Sequence, residues 1–114
     1  MINHKNEQIN ELLRSELAVL LESDVHVDGA LITISYVDCS PDLKSAKIAV
    51  SVLPEKLFGS ALSELKKHSS SFSSTLRKKT RLRQIPRLHW EADLTEAKAA
   101  EIDRLLDSIK KAEQ

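Results

Sequence analysis

Apolar residues in the first half of the chain follow two different periods. Over residues 4–22 they fall three or four positions apart, which places them in one stripe and predicts an amphipathic helix. The next two apolar stretches, ALITISYV and SAKIAVSVL, are rich in β-branched residues or alternate apolar with polar positions, which predicts two strands. Between them lie Ser40, Pro41 and Asp42, which favour turns. The two strands are therefore predicted to form an antiparallel hairpin.

Helical spacing returns after Pro54, which ends the second predicted strand. Residues 55–68 carry apolar side chains at helical intervals and predict a second helix. Phe72 and Leu76 continue a four-residue spacing into LRKKTRLR, which predicts a short third helix. The serines of HSSSFSS lie between these two stretches. They are predicted to mark a break, with an interrupted helix over residues 68–70.

The last third of the chain predicts one more strand and one more helix. Pro86 is disfavoured inside a helix, and apolar residues alternate with polar ones through RLHW, which predicts a third strand. A helical stripe follows over residues 99–109, and either Asp93 or Thr95 can cap it.

The predicted order of elements is αββααβα in a single domain, residues 1–114, because this length supports only one core. A crossover through two helices is long enough for the third strand to run parallel to the second. We therefore expect an α+β fold with a three-stranded mixed sheet covered by helices. This is the layout of a type II KH domain, a fold that binds RNA.

Charge is distributed unevenly along a chain whose formal net charge is zero. Residues 1–65 hold an excess of five acidic side chains, residues 66–90 hold eight lysines and arginines with no carboxylate, and residues 91–114 hold an excess of three acidic side chains. A surface built only for solubility mixes both signs, whereas a phosphate-binding site excludes carboxylates. Charges farther apart than about 10 Å are largely screened at 0.1 M salt, so this basic segment can bind an anion independently of the rest.

The basic segment supplies the candidate RNA-binding residues. They are Lys66, Lys67, His68, Arg77, Lys78, Lys79, Arg81, Arg83 and Arg87. If the chain is extended around Leu82, the side chains of Arg81 and Arg83 lie on the opposite face from Leu82 and suit bidentate contacts to phosphate. His68 is included because it sits beside Lys67 at the predicted helical break.

Several segments resemble bacterial ribosome-binding factor A. The hairpin of that family is similar to VDCSPDLKSAKIAVSVL in this chain. Its Arg-Leu-Arg-x-x-Pro motif is similar to the start of RLRQIPRLHW. SELAVLL fits its first helix, and Asp93 and Thr95 before EAKAAEIDRLL resemble the Asp-x-Ser opening of its last element. The loop SDVHVDGA departs from the family because it lacks the positive charges found there.

The resemblance implies a non-enzymatic assembly factor with a KH-like fold. Such a factor binds free, immature 30S ribosomal subunits and their 16S rRNA, assists late maturation and rRNA processing, leaves before translation, and aids growth in the cold. The family has an Ala-x-Gly kink between its two central helices, and this chain has His68, Ser69 and Ser70 there. An alternative remains open: a protein-interaction module that uses an exposed sheet edge, its acidic first half, or its basic segment to bind an acidic protein partner.

Other functional classes find little support in the sequence. Cys39 is the only cysteine, and it is expected to be a buried apolar residue rather than a nucleophile. The four histidines lack ligand spacing, and two glycines cannot build a phosphate-binding loop, so we expect no metal site, cofactor, small-molecule substrate or catalysis. Trp90, Tyr36 and Phe72 are assigned to the core. We expect a monomer in the cytoplasm without a membrane segment.

Overall fold

The computed structural model describes residues 4–94, which form two helices and one three-stranded sheet. The elements are α1 (His4–Asp24), β1 (Leu31–Cys39), β2 (Ser45–Leu53), a short 3₁₀ turn (Glu55–Leu57), α2 (Phe58–Lys79) and β3 (Arg87–Ala92). The helix predicted over residues 99–109 lies outside the described residues.

The sheet is mixed and has the order β1-β2-β3. β1 and β2 form the predicted antiparallel hairpin, with Leu31 opposite Leu53 and Cys39 opposite Ala46. β3 runs parallel to β2, with Arg87 beside Ser45. The predicted α+β class with a three-stranded mixed sheet is confirmed. α1 packs mainly on β1 and α2 on β3, so both helices cover the same face of the sheet.

The core lies between this face and the helices. The largest side chains that are fully buried include Leu13 and Leu17 of α1, Ile48 of β2, and Phe72 of α2. Trp90 of β3 is only 7% exposed and meets the Phe72 ring edge-on, with 6.2 Å between the ring centroids. The assignment of Phe72 and Trp90 to the core is confirmed.

The assignment of Tyr36 to the core is wrong, because 41% of its surface is exposed. A bulge between Ile34 and Tyr36 inserts one extra residue into β1. Since side chains alternate between the two faces of a strand, the extra residue turns Tyr36 to the open face and brings Val37 into the core. The sequence alternation alone would have placed Tyr36 on the same face as Ile34.

The helix α2 is continuous, so the interrupted helix predicted over residues 68–70 is wrong. Twenty-two residues from Phe58 to Lys79 form one helix where two helices were expected. The Ser69 hydroxyl donates to the Leu65 carbonyl at 3.0 Å, and the His68 Nδ1–H donates to the Glu64 carbonyl at 2.9 Å. These side chains bond to the preceding turn, and the helix runs on because residues 68–70 include neither a glycine nor a proline that could break it.

Ser69 also connects α2 to the sheet. Its Oγ accepts a hydrogen bond of 2.6 Å from the Trp90 Nε1–H. This one hydroxyl therefore donates to its own helix and accepts from β3. Trp90 is almost fully buried, and the Ser69 hydroxyl provides its indole N–H with a hydrogen-bond acceptor.

We expect Ser69→Ala to lower the free energy of unfolding by about 1 kcal/mol, because it removes the protein acceptor of the Trp90 N–H. Ser70→Ala is the matched control, since Ser70 is exposed on the same helix and its replacement changes stability by only a few tenths of a kcal/mol. Urea titrations followed by fluorescence of the single tryptophan measure both variants. Coincident unfolding midpoints would contradict the assigned role of Ser69.

Cys39 is buried at the end of β1, as expected, with 5% of it exposed. Burial raises the pKa of its thiol, and the neighbouring Asp38 carboxylate raises it further. Because the thiolate is the reactive form, we expect Ellman's reagent to modify the native protein at least about tenfold more slowly than the protein in guanidinium chloride. Equal rates would show that Cys39 is accessible. A Cys39→Ala variant supplies the blank.

Candidate nucleic-acid interface

The last turn of α2 carries three adjacent cations, Arg77, Lys78 and Lys79, and all three are exposed. Positive charge is favourable there because the helix dipole places partial negative charge at its C-terminal end. Thr80 ends the helix with an extended backbone, and its N–H and Oγ1–H both donate to the Leu76 carbonyl, at 2.9 and 2.7 Å. The chain then turns toward the sheet.

The segment between α2 and β3 separates apolar from basic side chains. Leu82 and Ile85 pack against the core and Pro86 is fully buried, while Arg81 and Arg83 are exposed. The predicted arrangement, with Leu82 inward and both guanidinium groups outward, is confirmed. The apolar residues therefore anchor this segment and hold the two arginines at the surface.

Arg87 begins β3 and brings the segment next to the β1–β2 turn. Its backbone N–H donates to the Lys44 carbonyl at 2.9 Å. Both side chains are exposed. Lys44 was missed in the sequence because it lies far from the basic segment along the chain. The signal was available in the parallel pairing of the second and third strands, which places the residue before Ser45 beside the start of β3.

These residues lie together at one end of the molecule, which we call the basic end. Its members are Lys44, Arg77, Lys78, Lys79, Arg81, Arg83 and Arg87. All seven side chains are exposed. They come from the β1–β2 turn, the end of α2, the connecting segment and the start of β3.

The other three candidate residues, Lys66, Lys67 and His68, form a separate group in the middle of α2. Lys67 is eleven residues from Lys78, or about 17 Å along the helix axis at 1.5 Å per residue. Lys66 lines a shallow groove between α2 and β3, together with Trp90 and Glu91. Lys67 Nζ lies 3.3 Å from a Glu64 carboxylate oxygen, so part of its charge is balanced.

His68 is half-buried and packs with its ring centroid 5.6 Å from that of Phe72. Its Nδ1–H bonds to its own helix, as described above. The helical break that suggested an RNA contact for His68 is absent. Its role in RNA binding stays a prediction, with only part of its ring accessible.

Carboxylates, among them Asp42 of the β1–β2 turn and Asp38 at the end of β1, also lie close to the basic end. Asp42 accepts hydrogen bonds from the Ser40 hydroxyl and the Lys44 N–H, which hold the pKa of Asp42 below its usual value and stabilise the turn. On the open face of the sheet, Lys47 Nζ lies 3.4 Å from Glu91, whose charge raises the pKa of Lys47. Lys47 is thereby balanced and is not counted among the cations of the basic end.

Neither a metal site nor a membrane span is found within residues 4–94. No group of three or more His, Cys, Asp or Glu side chains there could hold a metal ion. In the same residues no helix is both long enough and apolar enough to cross a membrane.

A sequence model of the family described as ribosome-binding factor A matches residues 5–106. The chain belongs to this family. The resemblance carried by the hairpin and by RLRQIPRLHW is thereby confirmed. A ribosome-binding factor A from Chloroherpeton thalassium is 31% identical over 111 residues, which cover 95% of this chain and 89% of that protein.

Solved structures from the same family share the fold. The crystal structure of ribosome-binding factor A from Thermus thermophilus aligns with a TM-score of 0.67 at 22% identity, covering 76% of this chain and 93% of that one. A homology model of the Thermus thermophilus protein, fitted into a cryo-EM map of its complex with the 30S subunit, aligns with a TM-score of 0.65 at 22% identity. It covers 74% of this chain and 90% of that one.

In the segment between α2 and β3, the inward apolar residues support the fold and the exposed arginines are the candidate binding residues. Leu82→Asp places a carboxylate against the core, and we expect it to lower the free energy of unfolding by about 2 kcal/mol or more. Arg81→Glu with Arg83→Glu changes only exposed side chains, and we expect a loss below about 1 kcal/mol. Thermal melts of the purified variants measure both. A double variant that melts as early as Leu82→Asp would show that the arginines are structural.

Proposed function

We propose that this chain binds the small ribosomal subunit by placing its basic end on phosphates of 16S rRNA, and that it assists late maturation of that subunit. Membership of the ribosome-binding factor A family supports ribosome binding. The Thermus thermophilus protein in complex with the 30S subunit supports the small subunit as the partner. The single observation that carries the RNA contact is the concentration of seven exposed cations at one end of the fold.

The composition of the basic end favours phosphate over bases. Four of its seven residues are arginines, whose planar guanidinium groups suit bidentate contacts to phosphate oxygens. The aromatic side chains Phe72, Trp90 and Tyr36 are unavailable there for stacking on bases, since Phe72 and Trp90 are buried and Tyr36 lies on the open face of the sheet. RNA backbone shape and charge are therefore the expected determinants of affinity.

The group in the middle of α2 extends the proposed interface. Lys66 and Lys67 lie about 17 Å from the last turn of the same helix, which is farther than charges interact through physiological salt. The two groups would therefore contact different phosphates. The exposed side of α2 between them carries small hydroxyls at Ser70, Ser71 and Ser74 and no carboxylate, so an RNA backbone can approach it.

The family assignment also bears on the wider role of the protein. We propose a cytoplasmic, monomeric, non-catalytic factor that acts without cofactor or small-molecule substrate, contributes to ribosome biogenesis and rRNA processing, and aids growth in the cold. The family assignment is the support for this role.

Salt dependence tests the phosphate contacts. With four to six phosphates engaged, the logarithm of the affinity for 16S rRNA falls with the logarithm of salt concentration with a slope of about −3 to −5. Arg81→Glu with Arg83→Glu is expected to abolish binding near physiological salt in filter-binding assays and to prevent co-sedimentation with free 30S subunits. Arg14→Glu with Lys56→Glu is the control with the same change in charge, placed away from the basic end.

Three results would contradict the proposal. A flat salt response would show that phosphates do not dominate binding. A stable Arg81→Glu, Arg83→Glu variant that still joins the 30S subunit as well as the control would show that the RNA is bound by another surface. Binding of acidic proteins in place of rRNA would favour the protein-interaction module.

A further inference from the structure

The outer edge of β1 is open along its first four residues. β1 pairs with β2 on one side only, because it is the first strand of the sheet order β1-β2-β3. Within residues 4–94, no main-chain group bonds to the outer edge of residues 31–34. Such an edge offers unpaired N–H and C=O groups to an additional strand.

The other half of the same edge is protected. Asn10 of α1 accepts the Cys39 N–H at 2.8 Å through its side-chain oxygen. The bulge at Ser35 interrupts the regular edge between the two halves. Residues 31–34 carry neither the lysine nor the proline that commonly blocks strand addition.

The direction of the free groups follows from the alternation of the strand. Residues whose side chains lie on one face of a strand direct their N–H and C=O groups to the same edge. Ile32, Ile34 and Cys39 share the helix-facing side, and the Cys39 N–H points outward to Asn10. The N–H groups of Ile32 and Ile34 therefore also point outward. At 3.3 Å per residue along β1, they lie about 20 Å from the basic end.

A groove of about 480 Å³ runs beside this open edge, between it and the end of α1. Its apolar wall includes Leu21, Val25 and Ile34. Among the described residues of its lining, the titratable side chains are Glu22, Asp28 and His26, and none is a lysine or arginine. A free strand edge beside a helix can accept an extended peptide, with main-chain hydrogen bonds for affinity and alternate side chains in the groove for specificity.

The charge of the groove indicates what kind of partner it binds. Two carboxylates, with no lysine or arginine among the described residues that line the groove, disfavour RNA phosphates at this site and favour a basic peptide. They also disfavour a second copy of the chain, because pairing β1 with β1 would bring Glu22 and Asp28 of both copies toward one groove. We propose that the groove beside residues 31–34 binds an extended, basic, apolar-alternating segment of another protein by adding it as a fourth strand to the sheet. This inference does not depend on rRNA binding.

Nuclear magnetic resonance with a designed peptide tests the proposal. The probe is an acetylated and amidated seven-residue peptide of alternating lysine and valine, and the control peptide has glutamate in place of lysine. We expect the lysine peptide to shift the amide resonances of Ile32 and Ile34 and slow their hydrogen exchange, while those of Arg81 and Arg83 stay unchanged. The glutamate peptide should cause no shift.

Matched variants assign the binding to the groove. Glu22→Gln with Asp28→Asn should weaken peptide binding about fivefold, because each exposed ion pair contributes little. Glu11→Gln with Glu55→Gln removes the same charge elsewhere and should leave the dissociation constant unchanged. Ile32→Pro removes the outward donor without removing a bond to β2, so it should abolish binding if tryptophan fluorescence shows a native fold.

Three outcomes would overturn the proposal. If both pairs of charge variants weakened peptide binding equally, the effect would come from the net charge of the protein and not from the groove. Shifts confined to the basic end, or none at millimolar peptide, would show that the edge does not accept a strand. Shifts of Ile32 and Ile34 that follow protein concentration without peptide would assign the edge to a second copy. Loss of rRNA binding alone would leave this inference standing.

Discussion

The packing of α2 on β3 is the constraint on which the proposed interface depends. Phe72 and Trp90 meet inside the core, and the Ser69 hydroxyl bonds to both the Leu65 carbonyl and the Trp90 indole. These contacts fix the middle of a helix that spans about 33 Å at 1.5 Å per residue. Because the helix is continuous through Ser69, the position of its last turn is set by the same contacts that set its middle.

The charged surfaces follow from this arrangement. The end of α2, the connecting segment and the start of β3 meet the β1–β2 turn. Partly buried Leu82 and fully buried Pro86 fix the backbone between the exposed arginines. At the opposite end of the sheet, acidic residues border the open half of the β1 edge. A chain with no net charge can therefore present a basic surface for phosphate and a distant acidic groove for a peptide, since salt screens one from the other.

Much of the fold could be predicted because it rests on hydrophobic periodicity. The strands, their pairing and the inward position of Leu82 follow from alternation and turn chemistry. Three features could not be read in this way. The second hydrogen-bond partner of the Ser69 hydroxyl, Trp90, is 21 residues away and comes close only in the folded chain. The bulge that exposes Tyr36 does not change the alternation of apolar and polar residues in the sequence. Lys44 lies at the basic end only because of the register between β2 and β3.

The helix α2 is continuous through Ser69 and holds its two groups of cations in a fixed relation. Residue-resolved hydrogen exchange of the native chain tests this most directly, since each helical amide is protected by its bond to the carbonyl four residues earlier. We expect the amides of residues 68–73 to exchange as slowly as those of residues 62–66. Fast exchange confined to residues 68–71 would reveal an interrupted helix and contradict it.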